Sequence, residues 1–242
     1  MFAIHVDVPF KSTPSVMIRA TLEIQRQNIV RCKPTNETAW KVAAEYFRLF
    51  RYGYMAPQMT VDPSTSVGDA RSLVPPQFNM QLEFLQATMV SDVTDGMLCG
   101  SEELLENWRL LSLNHKDVDM QLDRLGRGPG DSVVATMSLS FTITENTLSY
   151  VYPHLFAGAG EGSEEEGEWS PLAAKLVNQR LVMPGSVRFE WDTVCGRVVR
   201  LETRVDMLTS MLRLLGSFED VAHVLDGARI TAHCNMSLYD TT

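Results

Sequence analysis

A histidine and three carboxylates in this chain have the residue types and spacing that proton transfer requires. His115, Asp117 and Asp119 alternate along one short stretch, and Asp206 precedes a later apolar segment. A histidine next to a carboxylate can take up or release a proton near neutral pH, provided that it reaches the reacting atom. The chemistry to consider is therefore general acid–base catalysis. Two further groups of this kind are Tyr46 and His154.

These residues also have structural interpretations. Asp206 comes directly before MLTSMLRLLG, so it is placed to accept hydrogen bonds from free N–H groups at the start of a helix. His115 and Asp117 fall where a helical pattern gives way to a strand pattern, and polar residues are common at such corners. We expect Asp206 to be a helix cap and no residue to be catalytic. If the chain is an enzyme, the acid–base groups are His115, Asp117 and Asp206.

Other kinds of chemistry have weaker sequence support. The four cysteines are not in CxxC spacing or in a Cys/His array, so we expect reduced thiols, no metal site and no cofactor. The segment GRGPGD at 126–131 lacks the Walker pattern and precedes a strand pattern, so it is not a phosphate loop. The cysteines are Cys32, Cys99, Cys195 and Cys234.

Composition indicates an ordinary globular protein. The chain has 242 residues, 45% of them hydrophobic, and a net charge of −9, which disfavours a nucleic-acid surface. The start lacks a signal-peptide pattern and no apolar run approaches the ~20 residues that span a bilayer, so we expect an intracellular, cytoplasmic or nuclear protein without membrane association. We expect a tail with a short zipper-like helix at 1–34, one domain at 35–230 with insertions at 55–77 and 157–170, and a second tail at 231–242.

The order of patterns predicts an α+β fold. Thr35 and Asn36 are suitable caps for a helix to about Tyr54, and Ser101 for a second helix. Strand patterns follow at 118–122, 133–144, 180–191 and 197–206. Between 133 and 144, apolar residues alternate with polar ones six times, which indicates a half-buried antiparallel strand. A curved antiparallel sheet of four or more strands wrapped on helices would form a cone whose interior can hold a ligand.

Two groups of residues follow from this arrangement. The first is apolar and is expected to line the interior of the cone: Trp40, Tyr46, Phe47, Trp108, Met137, Phe141, Phe189 and Trp191. The second is expected to serve dimerisation, through an uncharged stripe on the outer face of the sheet and a short zipper seam: Thr136, Ser138, Ser140, Thr142, Ile18, Leu22 and Ile29.

Several motifs resemble a known family. The helix GSEELLENWRLLSLNH, the strand GDSVVATMSLSFTIT and the hairpin FEWDTVCGRVVRLETRVDMLTSMLRLLG are similar to the nuclear-transport-factor-2-like fold, in its SnoaL-like polyketide-cyclase branch. The segments QRQNIVRCKPTNETAWKVAAEYFRLFRYGY, LLENWRLLSL and LLGSFEDV resemble the region after the zipper in oomycete bZIP transcription-factor-like proteins. The dense basic helix of that group is missing, because the five bases in residues 1–34 are scattered.

The resemblance implies two alternative functions. One is a non-enzymatic ligand-binding or dimerisation module of a transcription-regulator-like protein that lacks a bZIP basic region. Its partners would be a second copy or a related chain, together with a small apolar ligand, and specific DNA binding is not expected. The other is a SnoaL-like small-molecule isomerase or cyclase. A cone filled by methionine and aromatic side chains would favour the first, and an open cone around a polar group would favour the second.

Overall fold

Alternation of apolar and polar residues produces the strands of this fold, which we describe from a computed structural model for residues 38–56, 79–157 and 168–236. The strands in chain order are β1 Met89–Thr94, β2 Lys116–Arg127, β3 Val133–Thr142, β4 Phe156–Ala157, β5 Glu168–Trp169, β6 Arg180–Asp192 and β7 Arg197–Val205. The helices are α1 Ala39–Leu49, α2 Met80–Thr88, α3 Ser101–Asn114, α4 Glu145–Val151, α5 Pro171–Leu176, α6 Met207–Leu215 and α7 Phe218–Leu225, with a 3-10 turn at Pro153–Leu155.

Five of the strands form one open, curved sheet in the order β1-β7-β6-β3-β2. The pairs β2–β3, β3–β6 and β6–β7 are antiparallel, as predicted, whereas the edge strand β1 runs parallel to β7. The strands β4 and β5 form a separate two-stranded hairpin. The α+β cone fold is therefore confirmed, with one parallel strand added to the predicted antiparallel sheet.

The inner face of the sheet forms the core together with the helices. On β3 every second side chain is almost fully buried, and these residues are Val133, Ala135, Met137, Leu139 and Phe141. Tyr46 and Phe47 of α1 and Phe50 at its C-cap are also at most 4% exposed. Because β3 pairs with β2 on one side and with the central strand β6 on the other, its regular alternation sets which face of each neighbouring strand is buried.

The ends of several helices differ from the predicted ones. α1 begins at Ala39, and Thr38 is its cap, with the Lys41 N–H donating to Thr38 Oγ1 at 3.4 Å, so Thr35 and Asn36 are not the cap. Gly100 stands at the cap position of α3, and Ser101 is the first helical residue. Trp40 lies on the outward face of α1 and is 41% exposed, so the expectation that it lines the interior is wrong.

The hairpin that closes the sheet has the predicted form. The N–H groups of Val194 and Cys195 donate to Asp192 Oδ1, and Gly196 has a φ of 63°, which a residue without a Cβ adopts readily. β7 then leads through Asp206 into α6. The zipper residues Ile18, Leu22 and Ile29, the tail at 1–34 and most of both insertions lie outside the described residues, as do residues 237–242 of the second tail.

Candidate functional site: the cone interior and the outer face of the sheet

The interior of the cone is almost completely filled. A cavity of about 40 Å³ remains between the sheet, α1 and α3, which is room for a few water molecules at most. Of the residues predicted to line the interior, Tyr46, Trp108 and Met137 contact this cavity. Phe47, Phe141 and Phe189 are buried in the surrounding core, and Trp191 packs against that core while half-buried. Methionine and aromatic side chains therefore occupy the space that a ligand would need.

Aromatic contacts hold Tyr46 at the centre of this filling. Its ring stacks on Phe50 at 4.7 Å between centroids and meets Phe189 edge-on at 5.5 Å. Trp108 Nε1 donates to the Tyr46 hydroxyl at 3.0 Å. Burial raises the pKa of Tyr46, so its hydroxyl stays protonated at neutral pH and cannot act as a general base.

His115 is buried at the junction between α3 and β2. Its Nδ1 lies 3.0 Å from the Leu111 carbonyl oxygen, so Nδ1 carries the proton and donates it, and its ring packs against Phe141 at 4.1 Å. Nε2 is buried without a hydrogen-bond partner. Burial lowers the pKa of His115 to about 4, so the ring is neutral at physiological pH. The ring does not contact the cavity, which leaves it no access to a substrate there.

The two aspartates that follow His115 point away from the cone. Asp117 is exposed and has a left-handed φ of 54°, and the Thr142 hydroxyl donates to its Oδ2 at 3.4 Å. Asp119 forms an ion pair with Arg51 at 3.6 Å. His115, Asp117 and Asp119 therefore sit at a corner of the fold rather than in a shared pocket.

The remaining candidates are used structurally. Asp206 caps α6, as predicted, with the Thr209 N–H donating to Asp206 Oδ1 at 3.0 Å. This backbone hydrogen bond lowers the pKa of Asp206 and so keeps the carboxylate ionised. His154 Nε2 donates to the His223 carbonyl oxygen at 3.1 Å and thereby ties the 3-10 turn to α7. Among the described residues, no acid–base pair meets inside the cavity.

The mouth of the cavity carries polar residues that the sequence analysis missed. Asp95, Asn107 and Thr203 line it, together with His233 and Asn235 from the last described residues. Asp95 follows a parallel edge strand that the sequence analysis did not predict. The pair His233–Cys234 is visible in the sequence, but it lies in a segment without periodicity, so no pattern indicates that it folds back onto the cone.

The outer face of the sheet carries an uncharged stripe, as the β3 alternation predicts. Thr136 is exposed, while Ser138 and Thr142 are half-buried. Next to the stripe on β6, Val182 is 56% exposed. Ser140 does not belong to the exposed stripe, because it is 7% exposed and Arg180 Nη2 donates to its hydroxyl at 2.7 Å. The inclusion of Ser140 among the dimerisation residues is therefore wrong.

At one end of the outer face, the charges of β6 and β7 pair with each other. Arg188 Nη2 lies 2.8 Å from Glu190 Oε1 and 2.6 Å from Glu202 Oε2, and Arg204 Nη2 lies 2.7 Å from Glu202 Oε1. Exposed pairs of this kind add little to stability, but they neutralise the local charge. The face is therefore less negative than the net charge of −9 suggests.

Two kinds of site are not found in the part of the chain that the structure describes. Within it, no group of three or more His, Cys, Asp or Glu side chains is arranged to hold a metal ion. Its helices include none with the length and apolar character needed to cross a bilayer. Of the cysteines within the described ranges, Cys99 is an exposed free thiol and Cys234 a buried one.

Comparison with known families agrees with the resemblance seen in the sequence. Residues 40–114, which include α1, α2, β1 and α3, match the family described as the BZIP transcription factor 1 C-terminal domain. This match confirms the resemblance to the region that follows the zipper in bZIP factors. No curated protein sequence matches the chain.

Solved structures with similar folds include SnoaL-like proteins. A SnoaL-like polyketide cyclase from Agrobacterium tumefaciens shares 9% identity, with 74% of this chain and 99% of that chain covered and a TM-score of 0.44. TsrD from Streptomyces laurentii shares 17% identity over 56% of this chain and 82% of that chain, with a TM-score of 0.36. A protein from Catenulispora acidiphila with a ketosteroid isomerase-like fold, solved in complex with trimethylamine, shares 12% identity, covers 57% and 84%, and has a TM-score of 0.34.

Proposed function

We propose that this chain is a non-enzymatic dimerisation module of a transcription-regulator-like protein, and that two copies associate through the outer face of the sheet. The observation that carries the proposal is the contrast between the two faces of the sheet. The inner face is filled to a residual cavity of about 40 Å³, whereas the outer face presents uncharged, partly exposed residues along β3 and an exposed valine, Val182, on β6. The match of residues 40–114 to a bZIP-factor C-terminal domain supports the regulatory context.

The filled interior favours dimerisation over the two alternatives. A cavity of about 40 Å³ is far below the ~300 Å³ that small-molecule sites usually need. An isomerase or cyclase also needs an acid–base pair within reach of the substrate, but His115 is buried away from the cavity, Asp117 is exposed and Asp206 caps α6. Within the cone, neither catalysis nor an open ligand pocket therefore has comparable support.

The chemistry of the outer face suits a second copy of the chain. Val182 lies on β6 next to Ser140 of β3, and Leu208 at the start of α6 is 50% exposed. Association would remove these apolar groups from water. The Arg188–Glu190–Glu202–Arg204 cluster is internally paired, so two such faces can approach without a strong charge penalty. A related chain with the same face is the alternative partner.

The test places a charge in the middle of the proposed interface. We expect Val182→Arg to raise the Kd of the dimer by about 100-fold, because the proposed interface would bury an unpaired guanidinium in place of an apolar side chain. Analytical ultracentrifugation measures this change as a shift from dimer to monomer at matched protein concentration. Far-UV circular dichroism and the melting temperature should stay close to those of the unmodified chain, since Val182 is exposed in the monomer.

Val194→Arg is the matched control. Val194 is also an exposed valine, at 84%, but it lies in the turn between β6 and β7 rather than on the outer face. This variant should keep the Kd of the unmodified chain. Equal dimerisation by both variants would overturn the proposed interface.

A further inference from the structure

A groove much larger than the cavity of the cone lies outside the cone, beside the edge strand β1. It has a volume of about 870 Å³ and is formed by residues of three stretches, 86–92, 99–103 and 192–199. These stretches belong to the end of α2 with β1, to the start of α3, and to the turn between β6 and β7. We call this space the β1 groove. Its size falls in the range of sites that hold a ligand or several side chains of a partner.

The walls of the β1 groove are acidic. Asp92 lies on β1, Glu102 and Glu103 lie in the first turn of α3, and Asp192 lies at the end of β6. None of these four carboxylates forms an ion pair with another residue in the part of the chain that the structure describes. Backbone hydrogen bonds in the turn lower the pKa of Asp192, so its carboxylate is charged at neutral pH. The groove therefore carries negative charge that the described residues leave uncompensated.

The basic residue among the described groove residues is turned away from these carboxylates. Arg197 Nη1 donates to the Gln86 carbonyl oxygen at 3.0 Å and to the Met89 carbonyl oxygen at 3.1 Å. The guanidinium is thereby held against the backbone where α2 passes into β1. This differs from the outer face of the sheet, where arginine and glutamate side chains pair directly.

The chemistry of the β1 groove suits a basic segment that also has apolar side chains. Carboxylates without a partner attract lysine and arginine, and they repel phosphate groups such as those of nucleic acids. Met89, Val90 and Val199 add apolar surface to the same groove. Contact with aliphatic side chains would remove this surface from water.

A segment with this composition precedes α1 in the same chain. Residues 19–33, RATLEIQRQNIVRCK, contain four bases and one acid, together with aliphatic residues that include Leu22 and Ile29. Arg26 comes twelve residues before Thr38, where the described part of the chain begins. A stretch of this length spans up to about 40 Å when extended, which is comparable with the width of a domain of this size. The segment is therefore long enough to reach a groove on the surface of its own domain.

We propose that residues 19–33 dock into the β1 groove of the same molecule, with their arginine and lysine side chains against its carboxylates. Because the segment is tethered to the domain, its local concentration is roughly millimolar, so a contact of modest affinity is occupied. Docking would also withdraw Leu22 and Ile29 from a zipper partner. The proposal concerns the edge of the sheet and does not rest on dimerisation through the outer face.

Two native cysteines can report on this contact. Cys32 lies in the segment, and Cys99 is an exposed thiol that lines the groove. In the full chain with Cys195→Ser, bismaleimidoethane should join Cys32 to Cys99 within one copy. Serine at position 195 keeps a hydrogen-bond donor for Asp192, and the thiol of Cys234 is shielded by burial. Mass spectrometry of digested protein identifies the link, and a denaturing gel shows whether the product has the mass of one chain.

Reversal of charge in the groove should weaken the contact. We expect Asp92→Lys/Glu102→Lys to lower the rate of cross-linking about tenfold, because the segment loses two attractive charges and meets two repulsive ones. Both side chains are exposed, so circular dichroism and the melting temperature should stay close to those of the parent chain. Alkylation by N-ethylmaleimide, measured on each variant, corrects for any change in the reactivity of the Cys99 thiol.

Asp123→Lys/Glu219→Lys is the matched control. It makes the same change in net charge, also with one exposed position on a strand, β2, and one in the first turn of a helix, α7. Neither residue lines the β1 groove. This variant should cross-link at the rate of the parent chain. Equal rates in the groove variant and the control would overturn the proposal.

A charge swap identifies the occupant of the groove. Arg19→Glu/Arg26→Glu should lower the cross-linking rate as much as the groove variant does. Combining it with Asp92→Lys/Glu102→Lys should restore the rate to near that of the parent chain, because the two surfaces again have opposite charges. Failure of the combined variant to recover would overturn the proposal. So would a rate that responds to the groove charges but not to Arg19 and Arg26, since the groove would then serve a different basic chain.

Discussion

At the scale of single residues, the groups that suggest acid–base chemistry are held by the backbone of the fold. The Leu111 carbonyl oxygen accepts a hydrogen bond from His115 Nδ1–H, and the Thr209 N–H donates to Asp206 Oδ1. Each contact satisfies a backbone group at the end of a helix, which is a common role for polar side chains. The positions of His115 and Asp206 are therefore explained by the helix ends that they stabilise, and no common substrate is needed to explain them.

His115 should make the stability of the protein depend on pH. Its folded-state pKa of about 4 lies below the ordinary histidine value of 6.5, so the contribution to stability is complete above pH 6.5 and is lost as the pH falls towards 4. Relative to His115→Leu, the free energy of unfolding should decline by about 3 kcal/mol between pH 7 and pH 4. Urea unfolding of both chains at a series of pH values measures this difference.

The variant isolates the histidine from the acidic groups that titrate in the same range. The Leu111 carbonyl oxygen also accepts the His115 backbone N–H at 3.0 Å, so the leucine variant leaves no unpaired carbonyl. A difference between the two chains that does not change with pH would show that His115 is not buried in its neutral form.

At the scale of elements, patterns that repeat over many residues were predictable and isolated contacts were not. The alternation from Val133 to Ile143 predicts β3 and its buried face, and the position of Asp206 predicts the cap of α6. The structure confirms both. The unit of α2 and β1 was not predicted, because β1 is six residues long and pairs with a strand about 100 residues away. The prediction that Trp40 faces the interior rests on its one-turn spacing from Ala43 and Ala44. In the structure Ala43 is buried but Trp40 is exposed, so α1 turns a different face towards the core.

The close approach of three central strands depends on a glycine in β6. A Cβ added at Gly185 would lie 2.5 Å from the Arg204 carbonyl oxygen and 3.0 Å from Met137 Cε. We expect Gly185→Ala to lower the free energy of unfolding by roughly 1–3 kcal/mol, because backbone must move to make room. Chemical denaturation measures the loss.

Gly126→Ala in the edge strand β2 is the matched control. The atom nearest to its added Cβ is the Val134 carbonyl oxygen at 3.9 Å, which is an ordinary contact distance. The control should change the free energy of unfolding by less than about 1 kcal/mol. A Gly185 variant as stable as the Gly126 variant would contradict the close packing of β6 against β7.

At the scale of the whole molecule, the interior of the cone is nearly filled. Aromatic and methionine side chains occupy the inner space together with residues 233–235, and we propose that the outer face of the sheet is the surface for association. The similarity of residues 40–114 to a bZIP-factor C-terminal domain supports the proposed regulatory context. The absence of specific DNA binding, expected from the scattered bases of residues 1–34, stays a prediction.

The most direct test of this account is the mass of the unmodified chain in solution. Sedimentation equilibrium over a concentration series up to about 100 µM would populate a dimer whose Kd is near 1 µM. The account predicts a mass that rises with concentration to twice the chain mass of 27.1 kDa. A mass that stays at 27.1 kDa at the highest concentration would contradict it.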